Sequence, residues 1–210
     1  MKKQKVSSAV IRRLPRYFRH LTDLYAAGVE RISSNALGKT MNLTASQIRQ
    51  DLSCFGEFGQ QGYGYNVEKL RQEISEILGM TLQHTTVVIG AGNLGRALIE
   101  NFQFDRSGFQ LISAFDVDQK LVGTELAGVP IYHADTLDRY LAEQPVSVGV
   151  LTVPKNIAQF TADRLINNGV KGIWNFTNVE LAINEPSVVV ENVHFADSLL
   201  ALSYMISDEE

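Results

Sequence analysis

The segment that most restricts the fold is a strand-like run, Thr85–Ile89, ending directly in Gly90-Ala91-Gly92-Asn93-Leu94-Gly95. Such a succession requires a strand, a tight turn and a helix. The first glycine serves the turn, the second lets a pyrophosphate approach the backbone, and the third lets the helix pack closely on the strand. The helix, from Asn93 to about Asn101, aims its free amides at the phosphates. Further strand-like runs follow at Phe109–Phe115, Val129–Tyr132, Val146–Leu151 and Gly172–Phe176, with helices predicted at about 135–143 and 156–168. Right-handed crossovers then give a Rossmann-type parallel sheet. Asp116 closes the second strand about twenty residues past Gly95, where a carboxylate bonds both adenosine ribose hydroxyls. With Asp118 it repels a 2′-phosphate, and no neighbouring arginine receives one, so the expected ligand is NAD(H) rather than NADP(H). Ligands lie beyond the carboxyl ends of strands in such sheets. That places Thr152, Val153 and Pro154 along the nicotinamide side through their backbone, while Asn175 and Phe176 offer an amide and a ring. Trp174 reads as buried packing.

The chain ahead of this unit has a different character. Through Gln60, ten basic residues (Lys2, Lys3, Lys5, Arg12, Arg13, Arg16, Arg19, Arg31, Lys39, Arg49) face four acids (Asp23, Glu30, Asp51, Glu57). That is about +6 at the front and about −10 behind, in a chain of formal charge −4. A basic front attracts phosphates and an acidic remainder repels them, which confines contact to one end.

Val10, Leu14, Tyr17, Phe18, Leu21, Leu24 and Tyr25 recur at helical spacing, giving a helix begun by Ser7 or Ser8 and ended near Gly28. Pro15 predicts a kink or a short break in it. Ser33 or Ser34 caps a second helix through Met41, and Asn42-Leu43 makes a tight connection. Thr44-Ala45-Ser46-Gln47 is a capping box for a third helix to about Phe55. Ala45, Ile48, Leu52 and Phe55 share its inner face. Opposite lie Ser46, Gln50 and Ser53, flanked by Gln47 and Arg49. A small polar face with one arginine suits a helix that approaches base edges, since glutamine bonds adenine and arginine bonds guanine. The segment Gly56–Tyr65 then alternates glycine with aromatics and predicts a β-hairpin wing that contains Gln60 and Gln61 and is anchored by Phe58, Tyr63 and Tyr65. Lys2, Lys3, Lys5, Arg12 and Arg16 are expected to grip phosphates. Asn66 caps a connecting helix that carries Val67, Leu70, Ile74 and Ile77 inward and ends at Gly79.

Cys54 is the single cysteine, which leaves no internal disulfide or zinc-type cluster and suits a reducing compartment. No apolar run approaches the roughly 18 residues of a membrane span, and the start lacks the apolar stretch of a signal peptide, so a cytoplasmic location is expected. The stretch from His194 to Ile206 is an apolar helix that must pack somewhere, and a partner subunit is the expected place. A dehydrogenase is the competing reading. It has little support, because His20, His84, His133 and His194 form no convincing acid/base pair and no substrate domain follows the sheet.

Taken together, the whole chain resembles the Rex family, bacterial redox-sensing transcriptional repressors. The resemblance rests on Ser33-Ser34, on Ala45–Ser53 running into Phe55–Gly59, on Gly62–Val67 and on Gly90–Ala97, and is extended by Thr152–Pro154, Gly172-Ile173 and Asn175-Phe176. It implies an α/β Rossmann-type parallel sheet domain (80–192) preceded by an α+β winged-helix domain with its connecting helix (1–79), and a domain-swapped C-terminal helix (193–210). It further implies a homodimer whose winged heads bind an inverted-repeat operator in double-stranded DNA. NADH closes such a dimer and releases DNA, whereas NAD competes and permits repression. Three positions depart from the family pattern. Asn101 stands where relatives usually carry Tyr, and His194, just before Phe195 and the exchanged helix, stands where they usually carry Asp; both fall at the expected nicotinamide end. Gln60-Gln61 replaces residues that are often basic, which should flatten the salt dependence of DNA affinity.

Overall fold

The computed structural model describes residues 6–60 and 63–207, with Gln60 as backbone only. Lys2, Lys3, Lys5, Gln61 and the Gln60 side chain, all expected at DNA, lie outside the described residues. The chain divides into two compact units, Met1–Thr81 and Leu82–Glu210. From sequence the boundary is expected after residue 79, with the last helix set apart.

The first unit opens with helix α1 (Ser8–Ala26), capped by the Ser7 hydroxyl, which accepts the Val10 N–H. Val10, Leu14, Tyr17 and Leu21 form its buried stripe. The short break that Pro15 could cause is absent, and the helix runs through it. Pro15 lies on the exposed face, where water can satisfy the carbonyl that loses its helical donor. Tyr25, expected inside, is exposed, with the Arg71 guanidinium 4.7 Å above its ring.

A strand the sequence reading missed, β1 (Arg31–Ile32), precedes α2 (Ser34–Met41), which Ser33 caps and which Asn42 ends in the left-handed region at φ 58°. Next comes α3 (Ala45–Ser53), two residues shorter than expected, with Phe55 half-buried beyond it. Only half of the capping box forms. Thr44 Oγ1 accepts the Gln47 N–H at 3.1 Å, but the Gln47 amide donates to Asp51 instead of reaching back. Strands β2 (Gly59–Gln60) and β3 (Gly64–Asn66) complete an antiparallel sheet of order β1-β3-β2. Gly64 makes the return possible: its φ is +70°, and a Cβ would lie 2.5 Å from the Ile32 carbonyl oxygen. Tyr65 is buried and Phe58 packs beside it, but Tyr63, read as a third anchor, is 71 % exposed. Helix α4 (Val67–Ile77) is capped by Asn66 and buries Val67, Leu70 and Ile74. Ile77, expected inward, is exposed; Leu78, in the cap that follows, packs on the core instead.

In the second unit the strands are β4 (His84–Ile89), β5 (Phe109–Asp116), β6 (Glu125–Leu126), β7 (Val129–His133), β8 (Val148–Leu151), β9 (Gly172–Asn175) and β10 (Val189–Asn192). Between and after them run α5 (Asn93–Asn101), α6 (Leu137–Glu143), α7 (Lys155–Asn167) and α8 (Phe195–Ser207). The sheet order is β10-β9-β8-β4-β5-β7-β6, parallel throughout except for the β6–β7 edge pair. Counted from β7 this is the 3-2-1-4-5-6 winding, whose direction reverses between β4 and β8. Apolar clusters fill both faces, one around Val87, Phe115 and Leu165 and the other around Val88, Ala114 and Val150. Among the described residues no helix is long and apolar enough to cross a membrane.

Candidate functional site

The crevice at the β4/β8 reversal is assembled from backbone. After Ile89 the chain turns at Gly90, which adopts φ +98° and donates its N–H to the Phe115 carbonyl at 2.8 Å. Thr152, at the end of β8, holds the turn from the other side, its hydroxyl 2.7 Å from the Gly90 oxygen. The three glycines separate by role. A Cβ on Gly95 would fall 1.8 Å from the Gly90 oxygen, so helix and turn touch there; a Cβ on Gly92 would meet nothing within 4 Å. The space at Gly92 is therefore open to a ligand, and α5 begins at it with no side chain capping its first amides. An uncapped helix start with open space before it fits a dinucleotide pyrophosphate.

Asp116 ties this loop to β5. Its Oδ2 accepts the Ala91 N–H at 2.5 Å and its Oδ1 the Asp118 N–H at 2.9 Å, and each oxygen keeps a lone pair for a ribose hydroxyl. Gly90, Gly92, Asp116, Thr152, Val153 and Pro154 line one cavity of about 620 Å3. Asn93 is exposed at the start of α5, and Leu94 packs half-buried against the core. Arg164, which the sequence reading did not place here, lines the same cavity. Its guanidinium is held by Asp138, with Nη2 at 2.8 Å and Nε at 3.0 Å from Oδ2. Hydrogen bonds from Arg164, together with its charge and a further bond from Asn168, keep the Asp138 carboxyl below its ordinary value. Among the described residues the one cation lining that cavity, Arg164, is thus already paired.

The other expected nucleotide residues do not line this cavity. Asn175 is buried and saturated: its nitrogen donates to the Val179 carbonyl and to Asn192 Oδ1, both at 2.8 Å, and its oxygen accepts from the Thr177 N–H and hydroxyl. It braces the turn after β9 and has no free amide to offer a ligand. Phe176 is buried with its ring centroid 4.6 Å from that of Trp174 and 6.0 Å from that of Phe195. Trp174, read as buried packing, is half-buried and packs against the core among Phe102 and Phe104. Asn101 turns back to the Ala97 carbonyl of its own helix at 3.0 Å. His194 lies between Asn178 Oδ1 at 3.4 Å and Glu180 Oε1 at 3.2 Å.

In the first unit, Ser46, Arg49, Gln50 and Ser53 are exposed on α3. Arg49 Nη1 donates to the Ser34 hydroxyl at 2.9 Å, beside a cleft of about 660 Å3 between α3 and the β2–β3 hairpin. Gln47 beside them is half-buried, its nitrogen 2.7 Å from Asp51 Oδ1. Arg16 Nη2 donates to the Met41 carbonyl at the end of α2, at 2.7 Å, and Arg12 is exposed. Among the described residues no cluster of His, Cys, Asp and Glu could hold a metal ion.

Two family models match the chain: "Putative DNA-binding protein N-terminus" over residues 5–53 and "CoA binding domain" over residues 81–179. The redox-sensing transcriptional repressor Rex of Thermoanaerobacter pseudethanolicus is 48 % identical over 209 residues, covering 100 % of this chain and 93 % of that protein. Rex of Clostridium tetani is also 48 % identical, covering 100 % of this chain and 99 % of the relative. Among solved structures, RSP with β-NAD+ and operator DNA aligns with a TM-score of 0.92 at 47 % identity, over 98 % of this chain and 94 % of that one. RSP, a Rex-family repressor, was also solved with β-NADH, and that structure aligns at 0.90 and 44 % identity, over 98 % and 96 % of the two chains. With both units matched along their full length, the chain belongs to the Rex family of redox-sensing transcriptional repressors.

Proposed function

We infer that this protein represses transcription as a homodimer that binds an inverted-repeat operator and leaves it when NADH replaces NAD. The observation that carries the reading is the uncapped start of α5 at Gly92, open to a pyrophosphate, in the same chain as the exposed polar face of α3. Ser46, Gln47, Arg49, Gln50 and Ser53 read base edges, while Arg12, Arg16, Lys2, Lys3 and Lys5 hold phosphates. The wing adds Gln60, Gln61 and exposed Tyr63. Gly90–Gly95 receives the pyrophosphate, Asp116 the adenosine ribose, and Thr152–Pro154 the adjoining part of the nucleotide. The dinucleotide acts as an effector, not a reactant, in keeping with relatives that are transcriptional repressors. Repression places the protein in the cytoplasm.

For a ligand to switch DNA binding it must favour one of two dimer shapes, since equal affinity for both moves nothing. Fluorescence anisotropy with an operator duplex tests this. Affinity should fall at least about tenfold when NADH replaces NAD+, a coupling of about 1.4 kcal/mol. Equal affinity in the two nucleotides would end the sensing claim. One observation favours a second reading, a Rex protein with an altered NADH response: Asn101 bonds within its own helix and His194 to the loop after β9, and neither lines the nucleotide cavity. Calorimetry of NADH on Asn101→Tyr and His194→Asp separates the two, because unchanged tight binding in all three proteins leaves the first reading alone.

A further inference from the structure

Beneath the α3 face lies a buried carboxylate that the function above does not use. Asp51 is wholly buried, and both of its oxygens are occupied twice. Oδ2 accepts from Arg13 Nε at 2.7 Å and from the Tyr17 hydroxyl at 2.9 Å; Oδ1 accepts from Arg13 Nη2 at 2.8 Å and from Gln47 Nε2 at 2.7 Å. Arg13 and Tyr17 are one turn apart on α1, and Gln47 and Asp51 one turn apart on α3. Two same-face pairs therefore grip one another across the contact between these helices.

Burial alone would raise the Asp51 carboxyl. The bonds from Arg13, Gln47 and Tyr17, with the Arg13 charge, outweigh it and hold the group below its ordinary value. An ionised carboxylate accepts hydrogen bonds and donates none. Gln47 must therefore turn its amide nitrogen toward Asp51, and this fixes the direction of its carbonyl oxygen. Gln47 lines a cleft of about 690 Å3 together with Gln50 and Ser53, two residues of the proposed reading face.

We propose that Asp51 is a positioning residue for sequence recognition, holding the Gln47 amide in one orientation so that α3 shows DNA a single order of donor and acceptor. This rests on the DNA-reading function above. A glutamine free to rotate its amide presents donor and acceptor in either order and accepts more than one base edge. Held by Asp51, it accepts fewer. Arg13, which sequence counts among the phosphate-attracting cations, is forked onto Asp51 and serves this orientation instead.

Selection from randomised DNA duplexes tests the proposal, using the full chain and its Asp51→Asn and Gln47→Ala variants, with thermal melting of each. Asparagine both donates and accepts, so Asp51→Asn frees the Gln47 amide to flip. Gln47→Ala leaves the Arg13–Asp51–Tyr17 bonds intact and keeps the test valid if Asp51→Asn fails to fold. The native chain should enrich one motif. Both variants should lose about fivefold or more of the preference at the same one or two positions of each half-site. The remaining positions and the salt dependence of binding to random duplex should stay unchanged. The proposal is overturned if Gln47→Ala, or a folded Asp51→Asn, selects the native motif with native sharpness. A native chain that enriches no motif brings down the DNA-reading function itself, and this proposal with it.

Discussion

Asp51→Ala strips the Arg13 guanidinium of its fork and leaves a half-buried charge without its partner. Breaking such a pair by removing one member costs about 3–5 kcal/mol, to be read as a lower urea midpoint for the first unit. Because the folded-state pKa of Asp51 lies below its ordinary value of 3.8, the contribution is fully present above that value and is lost as the pH falls through the folded one. Below about pH 4 the native chain should thus lose stability faster than the variant, and parallel acid profiles of the two would contradict the assignment. The glycines give a second contrast. Gly92→Ala meets no protein atom, so it should keep the native melting temperature yet weaken NADH binding at least about tenfold in calorimetry. Gly95→Ala places a Cβ against the Gly90 oxygen and should lower both. At this scale the sequence marks residues whose partners are near in the chain or absent, such as Gly92. It is silent on the ion pairs of Asp51 and Arg164, whose opposite charges stand 38 and 26 residues away and meet them only when helices cross.

Helices with a cap and an apolar stripe are legible because both signals are local. Ser7, Ser33, Thr44 and Asn66 each cap the helix that follows, and all four caps could be named to one or two residues. The strands β1, β6 and β10 are not legible, since two to four residues carry no usable alternation and exist through the partner strand beside them. Pro15 shows tertiary packing overriding propensity. Leu14 and Tyr17 on either side of it are buried, and their burial holds the helix through a residue that weakens it. Pro15→Ala should accordingly raise the stability of the first unit, by up to about 3 kcal/mol in chemical denaturation. A loss of stability would mean that the proline supports a shape the straight helix cannot take.

At the scale of the molecule the conspicuous element is α8. Leu199, Leu200, Leu202, Tyr204, Met205 and Ile206 are all more than half exposed, and no residue of the helix is buried. A helix of 13 residues, about 20 Å long, with that much apolar surface is stable in water only when covered. A second copy is the cover proposed here. The paired change Leu199→Asp with Leu202→Asp should shift the protein from dimer to monomer in sedimentation velocity. It should also cut inverted-repeat affinity by about a hundredfold or more, because the second half-site is then no longer engaged intramolecularly. Retention of the dimer would move the interface elsewhere. What the sequence by itself determined are features carried by short-range order: the β4–glycine–α5 turn, the capped helices, the polar face of α3 and the apolar character of α8. Their physics is that of adjacent residues, where periodicity, capping and φ preference act without regard to the rest of the chain. Only the tertiary structure decided that Asn175 is saturated within its own turn, that Arg164 is paired beside the nucleotide cavity, and that Gln47 is held by Asp51. A side chain's hydrogen-bonding capacity is written in its chemistry, but whether it remains free depends on which distant group folding brings within 3 Å.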